Sequence, residues 1–590
     1  MKTKAKTTRA SAKPALARAG RRRYVLGLDF GTLSARALLV DAERGDEVAT
    51  AVQEYPHGVI ETTLPGDSRR LPADTALQAP ADYLLALEKT VRQVLRASGV
   101  APAQVVGLGI DFTSCTMLPV LADGTPLCED PKWRGNPHAW VKLWKHHAAQ
   151  PEANRINEAG RERNEAFLRA CGGRYSSEWF FAKLLETVRQ APGVYDAAAR
   201  FLEAGDWLVW QLCGAERRAL SAAGFKAMCV YPGRNGERPG GRPAEAASGP
   251  RWEYPAPEFF RALHPKLEQV VAAKLSGDLR PPGARAGGLS AAMAARLGLP
   301  EGMPVAVANI DAHVAVPACG VTLPGKLVMI LGTSTCHLLV AEARHEVEGI
   351  CGVVADGVIP GYWGYEAGQA AVGDLFAWHV NQGVPAPVQA EARQAGQSVY
   401  EFLEARAAAL RPGESGLLAL DWWNGCRSVL MDSDLSGLLV GATLGTRPHE
   451  VYRALVEATA FGTRKIIEAF TGKGILIDEL YACGGLAQKS PFLLQVYADV
   501  TGRPIQLAAS EQTSALGAAM HAALAAGVHA DMHEAAERMV RPSRRIFHPN
   551  RRHKPVYDQL YAEYARLHDW FGRDPRSPMK VLKRLRTGRA

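Results

Sequence analysis

Twice in this chain an apolar strand runs into a Gly-Thr turn and comes straight back out as a second strand. The first case is Tyr24-Val25-Leu26-Gly27-Leu28-Asp29-Phe30-Gly31-Thr32-Leu33-Ser34, followed at once by the largely apolar run 35–40. The second is Val328-Met329-Ile330-Leu331-Gly332-Thr333-Ser334, followed by Thr335-Cys336-His337-Leu338-Leu339-Val340. Each reads as two strands joined by a tight turn, with glycine supplying the turn. An Asp at the end of a buried strand, as Asp29 is, costs free energy unless something pairs with it. A hydrated magnesium ion would do so, and Gly31-Thr32 beside it offers backbone N–H groups and a hydroxyl to phosphate oxygens. One such turn is as compatible with an ordinary hairpin as with a phosphate loop. Two of them, one in each half, point to a duplicated fold whose turns face one cleft.

A chain of 590 residues is too long for one core, so two large domains with tails are predicted. No stretch reaches the ~18 uninterrupted apolar residues of a membrane span, and the N-terminus lacks the apolar segment of a signal peptide. The formal charge of +9 sits in the tails. Residues 1–23 carry nine Lys/Arg and residues 576–590 carry six, with no acid in either, which leaves the body at −6. The body therefore gives no compositional case for nucleic-acid binding. The first tail lacks apolar periodicity, so disorder is predicted; its composition also suits an organelle presequence. Ten cysteines are scattered without C-x-x-C or zinc spacing, and read as reduced thiols of a cytoplasmic protein.

Along the chain, strands are predicted over 24–56 and an amphipathic helix over 81–97, where Tyr83, Leu84, Leu87, Val91, Val94 and Leu95 share a face. A buried strand from Val105 ends at Asp111. Helices follow around 137–149, 151–170, 177–190 and 196–213. Residues 232–257, rich in Pro, Gly, Arg and Ala, read as a flexible surface insertion. A strand from Pro304 to Ile310 leads into Asp311, where the second half begins. There, strands at 326–341 and 351–366 precede helices at 367–381, 390–410 and 448–470. Strand Glu479 to Cys483, Gly484-Gly485, helix 490–501, strand 504–509 and helix 513–527 complete it. This alternation implies α/β architecture with sheet ends pointing at the cleft.

These motifs carry a resemblance. Asp29-x-Gly31-Thr32, Leu331-Gly332-Thr333-Ser334 and Gly484-Gly485 before a helix resemble the sugar kinase, actin and heat-shock chaperone ATPase superfamily. The run Tyr452-Arg453-Ala454-Leu455-Val456-Glu457-Ala458-Thr459-Ala460-Phe461-Gly462 resembles the signature of the FGGY carbohydrate kinases. Asp111-Phe112-Thr113-Ser114-Cys115-Thr116, Ser177-Glu178-Trp179 and Tyr365-Glu366-Ala367-Gly368-Gln369 are similar to the branch of that family that phosphorylates L-ribulose, as are Trp144-Lys145-His146-His147 and Asp421-Trp422-Trp423-Asn424-Gly425. The resemblance covers roughly residues 24 to 560. It implies two actin-like (ribonuclease H-like) α/β domains with a nucleotide/sugar cleft between them. Residues 24–303 would form the sugar-binding N-terminal domain, carrying the 232–257 insertion, and 304–560 the nucleotide-binding C-terminal domain. Residues 1–23 would be a disordered basic tail and 561–590 a C-terminal helix and basic tail; residues 22–575 are expected to suffice for chemistry. The implied activity is ATP-dependent phosphorylation of L-ribulose to L-ribulose 5-phosphate in L-arabinose catabolism, with ATP and Mg2+ as cofactors. The partner is a small sugar, with no nucleic acid and no membrane, in the cytoplasm; a homodimer is left open.

Asp311 is the expected general base. It follows a buried strand and opens a helix, which places its carboxylate near the positive helix end and predicts a low pKa. Phosphoryl transfer needs the acceptor hydroxyl oriented and its proton accepted. From the residues alone Asp311 reads more readily as a helix cap, a role compatible with the base. By resemblance, Ser114, Cys115, Lys226, Asp311 and Glu366 bind the sugar, with Lys226 and Glu366 coming from turns. Gly31, Thr32, Gly332, Thr333, Ser334, Gly484 and Gly485 bind nucleotide, and Asp29 holds the metal through water. Trp422 and Trp423 read as core. A kinase for another ketopentose or pentitol, and a nucleotide-gated assembly protein of the actin kind, are the competing readings.

Overall fold

The computed structural model describes residues 22–231, 252–275, 278–543 and 545–587. The expectations for the first tail up to residue 21, and for residues 232–251 of the insertion, lie outside the described residues.

Both Gly-Thr hairpins form, and each founds a sheet of the same design. Strands β1 (Tyr24–Phe30), β2 (Ser34–Asp41) and β3 (Glu47–Glu54) make an antiparallel meander. After the helix Pro80–Ser98, β4 (Val105–Phe112) adds to β1 in parallel, and Pro304–Ala306 adds to β4. In the second half β5 (Gly325–Leu331), β6 (Thr335–Ala341) and β7 (Trp363–Gln369) repeat the meander. The helix Pro448–Thr471 leads to β8 (Ile477–Cys483), which adds to β5 in parallel, and Ile505–Leu507 adds to β8. The strands β1 and β5 are apolar on both faces because helices cover both sides.

The sheets divide the chain differently from the sequence reading. Residues Pro304–Ala306 and Asn309–Ile310, placed there at the head of the second half, are hydrogen-bonded to β4 in the first sheet. Helix α1 (Asp311–Ala318) packs in the same core, and so does α2 (Thr513–Ala525), although it comes late in the chain. The cause is a glycine groove. A Cβ on Gly27 would stand 1.8 Å from the carbonyl oxygen of Ala515, and one on Gly109 would stand 2.1 Å from that of Ala518. Glycines on β1 and β4 meet alanines on α2, so the backbones approach more closely than any side chain would permit. The second sheet proper begins at Gly325.

The predicted helix at 137–149 is replaced by a single turn, Pro137–Ala139, and a short strand, Val141–Lys142. That strand joins a small sheet with Leu77–Gln78, Met117–Val120 and Arg200–Glu203, which also takes the start of the expected 196–213 helix. Its Lys142 ammonium is buried against Glu186 at 2.5 Å, an interaction that local periodicity does not reveal. The FGGY-like run lies on the buried face of Pro448–Thr471, and Gly462 there meets Gln369 at the end of β7. Trp422 is core, as expected, while Trp423 is partly buried against Trp378. All ten cysteines are free thiols.

Candidate active site

A cleft of about 620 Å³ opens where the two sheets' turns converge. Its lining includes Thr32, Ser114, Cys115, Lys226, Asp311, Thr333, Ser334 and Glu366, so most of the predicted site residues are brought together. Asp29 and the four glycines Gly31, Gly332, Gly484 and Gly485 are not in that lining. Gly31 and Gly332 open the two turns, and their N–H groups donate across them to Ser34 and Ser334 at 3.0 Å in each case. The second turn also accepts at Gly332 and Thr333 from the N-terminus of the helix Gly373–Trp378. Gly484 has a φ of 92°, and a Cβ there would come within 2.5 Å of the Leu331 carbonyl, at the foot of the second turn. Gly485 begins the next helix and faces open space.

Asp311 is the first residue of α1, with Ile310 in the cap position. Its Oδ1 accepts from the Ala312 N–H at 2.7 Å. The low pKa expected from the helix end does not hold. Burial, together with the charge of Asp29, raises the carboxyl to about 7, and the Ala312 hydrogen bond offsets this only in part. A carboxylate with that pKa is a far better proton acceptor at neutral pH than an ordinary Asp.

Asp29 lies beside Asp111 in the parallel register of β1 and β4. Burial raises the Asp29 carboxyl, against the pull of Arg36, whose Nη1 approaches to 3.3 Å. Burial, then Asp29, raises Asp111 further, and among the described residues no N–H or hydroxyl donor reaches either of its oxygens. Among the described residues no three His, Cys, Asp or Glu side chains are grouped to hold a metal. One or two carboxylates are nonetheless what magnesium takes from a protein when phosphates and water complete its shell. The hard oxygens of Asp29, with the undersatisfied Asp111 behind it, fit that ion.

Elsewhere in the cleft, Lys226 and Glu366 form a buried ion pair at 2.6 Å. Neither comes from a turn. Lys226 is the last residue of the helix Leu220–Lys226, and Glu366 is in the middle of β7. Lys226 holds Glu366 down to about 2 against the effect of burial, and Glu366 holds Lys226 well above its usual range. His313, one turn into α1, reaches the other Glu366 oxygen at 3.0 Å. The Lys226 ammonium also stands 5.4 Å from the Trp179 ring centroid. Cys115, which lines the cleft, adopts a φ of 61°.

Sequence reasoning gave no role to several residues of this cleft. Glu178 pairs with His147 at 3.0 Å and with Arg427 at 3.3 Å, and all three line the cleft. Trp144 Nε1 donates to Thr32 Oγ1 at 3.0 Å, tying a neighbouring loop to the first turn. The Ser177-Glu178-Trp179 and Lys145-His146-His147 motifs were the available signal. Of the two histidines, His147 faces the cleft, whereas His146 turns inward to Glu186.

Residues 24–229 match the N-terminal domain, and residues 327–526 the C-terminal domain, of the FGGY family of carbohydrate kinases. A protein named ribulokinase from Geobacillus thermodenitrificans is 54% identical over 566 residues, covering 95% of this chain and 97% of that one. Another of that name from Halalkalibacterium halodurans is 52% identical over 569 residues, covering 96% and 98%. Among solved structures, a xylulose kinase from Rhodospirillum rubrum aligns with a TM-score of 0.70 at 22% identity, covering 92% of this chain and 98% of that one. A gluconate kinase from Lactobacillus acidophilus aligns with a TM-score of 0.74 at 15% identity, covering 93% and 98%. At these identities the structures establish the fold alone.

Proposed function

The chain belongs to the FGGY family of carbohydrate kinases, and from that premise we propose that it transfers the terminal phosphoryl group of ATP to L-ribulose, giving L-ribulose 5-phosphate. The observation that carries the substrate is the 50–54% identity to proteins named ribulokinase over nearly the whole chain. The observation that supports the chemistry is a carboxylate raised to about 7 in the same cleft as a buried Lys–Glu pair.

In this reading Asp311 is the general base. It orients the terminal hydroxyl of the sugar and takes its proton as the phosphoryl group is transferred. Lys226 and Glu366, held in place by His313, pair with other hydroxyls, and the Ser114–Cys115 turn contributes backbone groups. A sugar that misplaces one hydroxyl leaves a buried polar partner unsatisfied, which costs ~1–3 kcal/mol. The turns Gly31-Thr32 and Gly332-Thr333-Ser334 cradle the phosphates, and the open space at Gly485 admits the adenosine side. Asp29, through water and with Asp111 behind it, would hold magnesium, which supplies positive charge to the outer phosphates. Residues 24–303 and 304–560 act as sugar and nucleotide lobes, with the 304–324 and 508–540 segments shared at the junction. The free thiols suit the cytoplasm. A homodimer, which a sizing column with light scattering would check, and a place in L-arabinose catabolism belong to the same proposal.

The test is a panel of sugars with ATP, following ADP release. L-ribulose is expected to give the highest kcat/KM, D-ribulose a lower one and D-xylulose a poor one. A better rate with D-xylulose or glycerol would end the substrate assignment.

A further inference from the structure

The helix Phe180–Gln190 carries Lys183, which is fully buried. Its ammonium has no carboxylate as its hydrogen-bond partner. Nζ donates to the carbonyl oxygens of Cys115 and Leu143, both at 2.7 Å, and to that of Trp144 at 3.5 Å. The contrast with Lys142 is informative. Lys142 is equally buried nearby, but is neutralised by Glu186 at 2.5 Å. A buried charge whose hydrogen bonds go to carbonyls costs more than one bonded to a carboxylate. Burial lowers Lys183 to about 8, against the attraction of Glu203 and Glu178 from beyond hydrogen-bond reach, and it lowers Lys142 as well. If only packing were required, a neutral side chain would serve at less cost.

The three carbonyls belong to two segments that both face the cleft. Cys115 sits in the left-handed region, with a φ of 61°, where a residue other than glycine is strained and has to be held by its surroundings. Ser114 and Cys115 line the cleft at that turn. Leu143 and Trp144 begin the other segment, whose indole N–H donates to Thr32 of the first phosphate turn at 3.0 Å. One ammonium thus joins the sugar-facing turn to the loop that grips the phosphate turn.

We propose that Lys183 is a positioning residue for the ketopentose. It holds the strained Cys115 turn in the shape that receives the sugar and fixes that turn relative to the Thr32 hairpin. The role rests on the reading above, in which Ser114 and Cys115 contact the sugar through backbone groups. It assigns part of the sugar specificity to a residue that touches no substrate.

The test is steady-state kinetics of Lys183→Met, which keeps the shape and removes every donor. The KM for L-ribulose is expected to rise about tenfold or more, equivalent to about 1.4 kcal/mol. The KM for ATP is expected to change by less than about threefold, because the first phosphate turn is closed by its own Gly31–Ser34 hydrogen bond and touches the Lys183 segments only through the Trp144 indole. The preference for L-ribulose over D-ribulose should narrow at the same time. A sugar KM within about twofold of normal, or equal rises in both KM values, would overturn the proposal. Lys183→Gln keeps two N–H donors and is the second variant. Its sugar KM should lie between wild type and Lys183→Met, and if the Met variant does not fold, a soluble Gln variant with an unchanged sugar KM overturns the proposal. Lys226→Met is the control. If it raises the sugar KM and Lys183→Met does not, only the Lys183 proposal fails; if neither raises it, the reading of the sugar site fails. Should wild type prefer another polyol, the same comparison is run on that polyol.

Discussion

At the scale of single residues, Asp311 is a carboxylate whose surroundings oppose its ionisation. The helix end and the Ala312 N–H favour a charged Asp311, but burial and Asp29 weigh more, and the carboxyl rises to about 7. Two outcomes follow if it is the base. Asp311→Asn keeps the shape and removes the proton acceptor, so turnover should fall by roughly 10²–10⁴, with the sugar KM changed far less because Lys226 and Glu366 remain. A cap or purely structural residue would tolerate Asn, and more than about a tenth of normal turnover in the folded variant would refute the base. The pH profile has a definite sign. The ionised form is the active one, so kcat/KM for the sugar should be full above the folded pKa and decline as pH falls through about 7. A rate flat from pH 8 to 6 would not fit. Asp311, Lys226 and Glu366 were legible in the sequence, but through resemblance more than through their own pattern. His313, Glu178 and Arg427 were not assigned because their partners lie far away in the chain: Glu366 is 53 residues from His313, and Arg427 is 249 from Glu178.

At the scale of elements, what periodicity can read is local, and the structure separates that from what it cannot read. The two hairpins, the helix at 80–98 and the long helix at 448–471 follow from alternation and 3.6-residue spacing within each segment. Which sheet a helix covers does not follow. Helix α2 returns to the first sheet because Gly27, Gly107 and Gly109 leave room for the backbone near Ala515, Ala518 and Ala522. Those complementary small residues lie some 400–490 positions apart, and no window contains both. Glycines of the two kinds should therefore respond differently to substitution. Gly27→Ala places a methyl against backbone that cannot yield, and should cost ~1–3 kcal/mol or more of stability, visible as a lowered Tm. Gly485→Val adds its side chain to open space beside the second turn. It should leave Tm nearly unchanged and raise the KM for ATP. If Gly27→Ala is silent, the glycine groove is not what holds α2. If Gly485→Val leaves the ATP KM as it was, the adenosine side is elsewhere.

At the scale of the whole molecule, the duplicated turns face one cleft, and several bonds already tie its two walls. Glu178 meets Arg427, the Arg174 guanidinium donates to the Met431 carbonyl at 2.7 Å, and the Gly349 N–H donates to Gly172 at 3.0 Å. The first sheet's core includes residues of both chain halves, with α1 and α2 packed at the junction. Binding of sugar with a non-hydrolysable ATP analogue should bring the lobes together and exclude water from the transferred group. Small-angle scattering should then give a smaller radius of gyration, and an unchanged radius with both ligands bound would argue against closure. The C-terminal tail bears on the same wall. The sequence reading treats residues 576–590 as dispensable, because the motifs lie between residues 29 and 485 and the tail lacks a core-forming pattern. In the structure, however, the helix Pro578–Thr587 lies along the 432–434 loop. Lys580 pairs with Asp432 at 3.1 Å, and Lys583 donates to the Ser433 carbonyl at 2.9 Å. Lys583 itself lines the cleft together with Asn424, Arg427 and Asp434. The tail therefore braces the loop that presents Arg427 to Glu178. The Lys580–Asp432 ion pair is largely shielded from solvent and the Lys583 contact is a hydrogen bond to a carbonyl, and both act on the same loop. Deleting residues 576–590 should raise the sugar KM by roughly three- to tenfold, with little change in the ATP KM and a modest fall in Tm, because Met579 leaves the second core. Deleting residues 1–21 should do neither, because every residue assigned to the cleft lies beyond them. Equal kinetics for the two deletions would show that the 424–434 loop stands without its brace.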